Sequence, residues 1–214
     1  MKKLILTSIL TITSVLVFAQ QAKFGLKGGL NIANQSNTAL SGLAQTNSSS
    51  IIGFNIGGYV EIELANKISI QPELLFSLQG GKLSYVDYLR LDYMDPGEYV
   101  NVETVDKLSY INMPIMFKYY VIDKLTLELG PQLGILVSSN RNTSYYGPTY
   151  SGNSSRNSKD FYSTIDYGIN LGAGYNISEN IAVGIRYNIG VNNIGKYSTE
   201  IKNNVFSIST NYKF

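Results

Sequence analysis

Apolar and polar residues alternate along most of this chain with a period of two. Phe24, Leu26, Leu30 and Ile32 alternate with Lys27 and Asn31. Further runs of the same kind cover residues 52–64, 68–78, 111–119, 125–137, 165–175, 181–191 and 206–214. In the last of them Phe206, Ile208, Thr210, Tyr212 and Phe214 share one face, and Ser207, Ser209, Asn211 and Lys213 share the other. A period of two puts successive side chains on opposite faces of a β-strand. The pattern therefore predicts eight strands, each greasy on one side. A tilted strand of ~9–11 residues crosses a bilayer, and eight is an even number, as a single-chain antiparallel membrane barrel requires.

The connections alternate too. Ala65-Asn66-Lys67, Ile122-Asp123-Lys124 and Ser178-Glu179-Asn180 read as tight turns. Residues 35–50, 81–106, 139–160 and 192–203 read as long polar loops. Short turns at one end and long loops at the other correspond to the periplasmic and extracellular sides of an outer-membrane barrel. The reading is all-β: an eight-stranded antiparallel up-and-down transmembrane barrel with both termini in the periplasm.

The two ends of the chain agree with that location. Lys2 and Lys3 precede an apolar stretch from Leu4 to Phe18, and Val17-Phe18-Ala19 offers small residues where a signal peptidase reads. Residues 1–19 are expected to be a cleavable signal peptide, and residues 20–214 the barrel domain. Cleavage removes two of 17 basic residues and no acidic one, which leaves 15 of each. A neutral domain is no nucleic-acid binder by charge. At the other end, Tyr212 and the final Phe214 resemble the aromatic terminus by which such barrels are assembled, and the barrel-assembly machinery is the partner this implies.

The polar face decides which side meets lipid. It is rich in Gly, Ser, Asn and Gln, and carries Lys27, Glu61, Glu63, Glu73, Lys118, Glu128, Asp166, Arg186 and Lys213. In lipid each basic group costs roughly 2–4 kcal/mol at mid-depth. A small eight-stranded barrel has an interior that side chains just fill. The ionic set is therefore expected inside, as a polar plug, with the apolar face toward acyl chains. Tyr119, Tyr175 and Tyr212 are expected at headgroup level. A soluble, lipocalin-like barrel, with the faces reversed, is the alternative.

Two stretches carry a family resemblance. Residues 69–80 read S-I-Q-P-E-L-L-F-S-L-Q-G, and residues 108–120 read L-S-Y-I-N-M-P-I-M-F-K-Y-Y. Together with the opening F-G-L-K-G-G-L-N they resemble the PorT-like outer-membrane β-barrel family of Gram-negative bacteria. That resemblance implies the same barrel and adds an accessory part in protein secretion as a possible role. On the residues alone, Glu73 and Lys118 point inward on neighbouring strands and are expected to pair, directly or through a third lumen group. Pro72 and Pro114 lack a ladder donor, so each predicts a bulge or bend.

Catalytic chemistry is sparse. The chain has no histidine and no cysteine, so imidazole proton transfer, thiol nucleophiles and His/Cys metal clusters are out of reach. Lumen carboxylates such as Glu61 and Glu73 are the one acid–base option. No cofactor is implied. The long loops hold Tyr85, Tyr88, Tyr93 and Tyr99 beside Asp87, Asp92, Asp95 and Glu98, and Tyr145, Tyr146 and Tyr150 beside Arg141, Arg156 and Lys159. Calcium at the acidic loop, lipopolysaccharide phosphate at the basic one, or plain solvation are the readings there. The expected function is non-enzymatic: an outer-membrane protein with a structural or surface-interaction role, in contact with outer-membrane lipid and lipopolysaccharide. A small pore or transporter is the competing class.

Overall fold

The computed structural model describes residues 22–37, 47–90, 96–197 and 200–214. The expected signal peptide lies outside these residues. Among these residues ten strands form: β1 (Ala22–Asn37), β2 (Asn47–Ser49), β3 (Ile51–Ala65), β4 (Ile68–Leu89), β5 (Glu98–Ile122), β6 (Leu125–Tyr146), β7 (Ser151–Asn157), β8 (Ile165–Asn176), β9 (Ile181–Gly190) and β10 (Ile201–Lys213). Ladders run in the order β1, β3, β4, β5, β6, β8, β9, β10, and β10 returns to β1. Every pairing is antiparallel, from Gly25↔Lys213 to Asn37↔Ile201 across the closing seam. Eight staves thus make a closed ring, and the short β2 and β7 add to β4 and β6 above it.

Sidedness follows from lipid being the outer solvent. Phe24 is 59% exposed and Ile185 51%, whereas their polar neighbours Lys27 and Arg186 are buried inside. Among the described residues no helix is long and apolar enough to cross a membrane. The tight turns fall at Asn66–Lys67, Asp123–Lys124 and residues 177–180. Lys67 adopts φ 69° there, and its carbonyl accepts from the Tyr120 amide at 2.9 Å. The chain ends of β1 and β10 lie at this same end of the ring. Tyr119, Tyr175 and Tyr212 face outward near it.

Packing is tight where β1 meets the lumen. The Tyr59 ring lies over Gly25 so tightly that a Cβ there would be 2.3 Å from the ring and 2.5 Å from the Tyr212 carbonyl. Only glycine fits that position.

Three expectations need correction. The described residues of 81–106, and residues 139–160, are mostly strand, not loop; Asp92, Tyr93 and Asp95 of the acidic stretch lie outside the described residues. β4 and β5 stay paired from Gly80↔Lys107 to Leu89↔Glu98, β5 and β6 from Leu108↔Ser139 to Asn101↔Tyr146, and β7 continues the sheet. With β2 they form a five-stranded wall rising above the ring. Its strands alternate in the opposite sense: Val100 and Val102 point inward and are fully buried. The outer surface there meets water, so the apolar phase turns in. Second, neither Pro72 nor Pro114 makes a bulge that shifts the register. The ladders skip pairs around Pro72 on β3–β4 and Pro114 on β4–β5, then resume in phase. A missing donor costs a bond without needing an extra residue. The register shifts lie instead at Glu63/Ala65, Ser109/Tyr110 and Tyr120/Ile122. Third, Glu63 and Lys213 are not in the sealed lumen. The Glu63 side chain is 48% exposed at the periplasmic rim, where it pairs with Lys23, and Lys213 lines the open mouth beside it.

Candidate functional site: the polar lumen

The inward residues stack in layers, because rows of neighbouring strands lie at similar heights inside a narrow cylinder. At the periplasmic mouth a depression of about 560 Å³ is lined by Lys23, Glu63, Lys67, Tyr120, Asp123 and Lys213. Above it, Lys118 Nζ stands 3.0 Å from Glu61 Oε2 and donates to Gln71 Oε1 at 3.0 Å. Glu61 also accepts from Ser69 Oγ at 3.0 Å and from the Tyr120 hydroxyl.

The next layer centres on Glu73. Arg186 donates to its two oxygens at 2.9 and 2.8 Å, and to Glu128 Oε2 at 2.8 Å. Lys27 Nζ lies 3.4 Å from Glu73, and Gln71 Nε2 donates to it at 2.7 Å. The Glu73 carboxylate has no solvent exposure. Glu73 and Lys118 do not touch. Gln71 joins them, accepting from Lys118 and donating to Glu73.

Amides fill the middle. Asn55 Nδ2 donates to Asn31 Oδ1 at 2.6 Å, and Asn31 Nδ2 to Ser77 Oγ at 3.0 Å. Opposite, Asn188 donates to Asn170, and Asn170 to Gln132. Between the two sets lies a cavity of about 30 Å³, room for about one water. Higher still, Asn203 Nδ2 donates to Asp166 Oδ2 at 2.9 Å. An apolar cap of Leu108, Tyr110, Leu136, Tyr162 and Ile194 then crosses the interior. Above the cap, Arg141 grips Asp106 through two bonds of 2.7 and 2.9 Å and reaches the Tyr162 hydroxyl at 3.0 Å. These two residues open onto a cup of about 220 Å³ at the foot of the wall, with Gln35, Lys82 and Tyr85. Burial, and then the nearby Asp87, raise the Tyr85 hydroxyl above its ordinary pKa, so it stays protonated.

Of the nine charges read from the pattern, Lys27, Glu61, Glu73, Lys118, Glu128, Asp166 and Arg186 are buried together in the lumen. Sequence reasoning missed the Asp106–Arg141 pair and the connecting Gln71 and Tyr120. Asp106 shares the phase of Val100 and Val102 on β5, and that inverted alternation was the available signal. Among the described residues no three His, Cys, Asp or Glu side chains are placed to hold a metal ion.

A closed antiparallel ring with ionic groups within and an apolar band without defines a transmembrane β-barrel. The chain belongs to the outer membrane protein beta-barrel domain family, whose model matches residues 18–196. The protein is located in the outer membrane. No curated protein matches it. Among solved structures it is similar to Ail, the attachment invasion locus protein of Yersinia pestis, at 11% identity and TM-score 0.47, covering 91% of this chain and 99% of that one. Neisserial surface protein A matches at 15% identity and TM-score 0.43, covering 90% and 99%. OprG of Pseudomonas aeruginosa matches at 13% identity and TM-score 0.39, covering 90% and 96%.

Proposed function

We propose that this protein is a non-enzymatic barrel that acts at the cell surface, with a lumen closed to ions. The observation carrying this is the succession of layers across the interior. A path through the barrel meets the Lys118–Glu61 pair, the Arg186 cluster, the amide layer with its cavity of about 30 Å³, and the apolar cap. A hydrated ion needs more room than that, and shedding its water inside a low-dielectric wall is expensive. The absence of His and Cys from the sequence supports a non-catalytic role.

The surface role rests on the wall. Val86, Tyr88, Tyr99 and Tyr146 are exposed on it, with Tyr99 at 73%. Tyr88 and Tyr99 pair edge-to-face at 5.1 Å. Tyrosine at a rigid sheet surface offers large contact area at little entropy cost. Outer-leaflet lipid and lipopolysaccharide are the surroundings this reading implies, and Tyr212 and Phe214 the contacts for the assembly machinery. The 69–80 and 108–120 motifs further suggest the PorT-like branch of the family.

Single-channel recording in planar bilayers tests the closed lumen. The wild-type barrel is expected to give no stable open level. Stable, graded conductance that changes in Glu73→Ala overturns the reading in favour of a small pore.

A further inference from the structure

The wall and the ring enclose the cup between them, above the apolar cap. Its sheet side is built from rows that share one face: Gly81↔Asp106↔Arg141, then Leu83↔Thr104↔Thr143, then Tyr85↔Val102↔Tyr145. Its far side comes from Gln35 of β1, Ser48 of β2 and Ile201 of β10. Gln35 lies directly over Gly81, where a Cβ would meet its Cβ and backbone nitrogen, each at 3.0 Å. The cup holds about 220 Å³, the room of about seven waters. All these residues sit in strands, so the shape is set before anything enters.

Charges in and around the cup are already matched. Arg141 holds Asp106 through its two bonds, and Lys82 stands 2.7 Å from Glu103. A phosphate or carboxylate would face Asp106 with no free cation to offset it. A metal ion would find a single carboxylate that Arg141 already occupies. What stays open is neutral and of both kinds. Among the described residues the Tyr85 hydroxyl, Arg141 Nη1 and Gln35 Oε1 have no hydrogen-bond partner. The first gives and takes, the second gives and the third takes. Beside them the half-buried Tyr85 ring, Leu83 and Ile201 supply an apolar patch.

Open donors and acceptors beside an apolar patch are the counterpart of a sugar ring. Its hydroxyls both donate and accept at the rim, and its C–H groups form the faces. We infer that the cup binds one neutral pyranose residue, its C–H face against Tyr85 and Leu83 and its hydroxyls on Arg141, Asp106 and Gln35. The volume takes one ring and not two, so the ligand is a free monosaccharide or the exposed end of a chain. Binding there rests on the cell-surface orientation proposed above, because the cup lies outside the cap. It is independent of whether the lumen conducts.

Saturation-transfer NMR tests it, on the barrel in nanodiscs free of lipopolysaccharide and of sugar-headed detergent. The probes are glucose, galactose, mannose and N-acetylglucosamine, with open-chain sorbitol as control. At least one pyranose should bind with a Kd of roughly a millimolar, the range for about twelve heavy atoms at ordinary ligand efficiency. Sorbitol should give no transfer. Tyr85→Ala should weaken binding about tenfold. Leu83→Trp fills the cup, leaves every polar group in place and should abolish binding. Both positions lie on the wall, so circular dichroism should report an intact barrel. Crystals of the wild type soaked in the binding sugar should show it in the cup, a readout that needs no variant. Silence from all four pyranoses overturns the site, as does sorbitol transfer equal to theirs, or wild-type transfer in either variant. Lipopolysaccharide added to the nanodiscs separates two sources of the same ring. Transfer that then disappears means the membrane's own saccharide fills the cup, transfer that persists means the sugar comes from outside, and both uphold the site. A failure here leaves the closed lumen standing, because conductance tests that separately.

Discussion

Glu73→Gln is the sharpest probe of the lumen. The carboxylate is unexposed, takes two bonds from Arg186 and one from Gln71, and faces Lys27. The substitution keeps the volume and removes one charge. Arg186 and Lys27 then share Glu128 alone, and the ion-paired cluster of Lys27, Lys118 and Arg186 with Glu61, Glu73 and Glu128 becomes net positive. Breaking a buried pair by removing one partner costs about 3–5 kcal/mol, because the survivor stays buried without compensation. Urea unfolding of the barrel refolded into lipid vesicles, followed by circular dichroism, measures the loss. The double variant Glu73→Gln/Lys27→Met restores neutrality and should recover at least half of it. A single-variant loss under about 1 kcal/mol, the scale of an exposed pair, refutes the claim that these ion pairs hold the interior. So does a double variant no better than the single one.

Two other substitutions test the packing and the sidedness. Gly25→Ala drives a Cβ into the Tyr59 ring and the Tyr212 carbonyl. It should destabilise by about 1–3 kcal/mol, and Tyr59→Ala in the same chain should relieve part of that in the same unfolding assay. Ile185→Arg puts a charge on the outward face of β9 near its middle. A loss of roughly 2–4 kcal/mol in vesicles is expected, against little change for Ser207→Thr inside the adjacent stave.

The eight staves and their inside and outside were legible because lipid enforces a single rule on every strand. Phe24 to Ile32 and Ile181 to Ile189 follow it without exception. The wall was not legible by that rule. On β5 the outward apolar phase of Ile111, Ile115 and Phe117 gives way to inward Tyr110, Leu108, Val102 and Val100. Outside the bilayer the solvent is water, so a search for one phase stops at the boundary. Ion partners were half legible. Parity put Glu73 and Lys118 on the same inner face, but stagger between staves sets the heights. It brings Arg186 of β9 to Glu73 of β4, and Glu61 of β3 to Lys118 of β5. Stagger depends on all eight pairings at once, and no local stretch of sequence reports it.

The change of phase at Tyr110 and Ile111 also works as a waterline. From Ile165 to Tyr175 the greasy belt of β8 rises ten residues at ~3.3 Å each, which at a tilt of ~40° gives a height of ~25 Å. That draught is short for an average ~30 Å bilayer and better suited to a thin one. The barrel should therefore ride at a fixed depth and pinch thicker lipid around its girth, which would sort it toward the thinnest membrane it can reach.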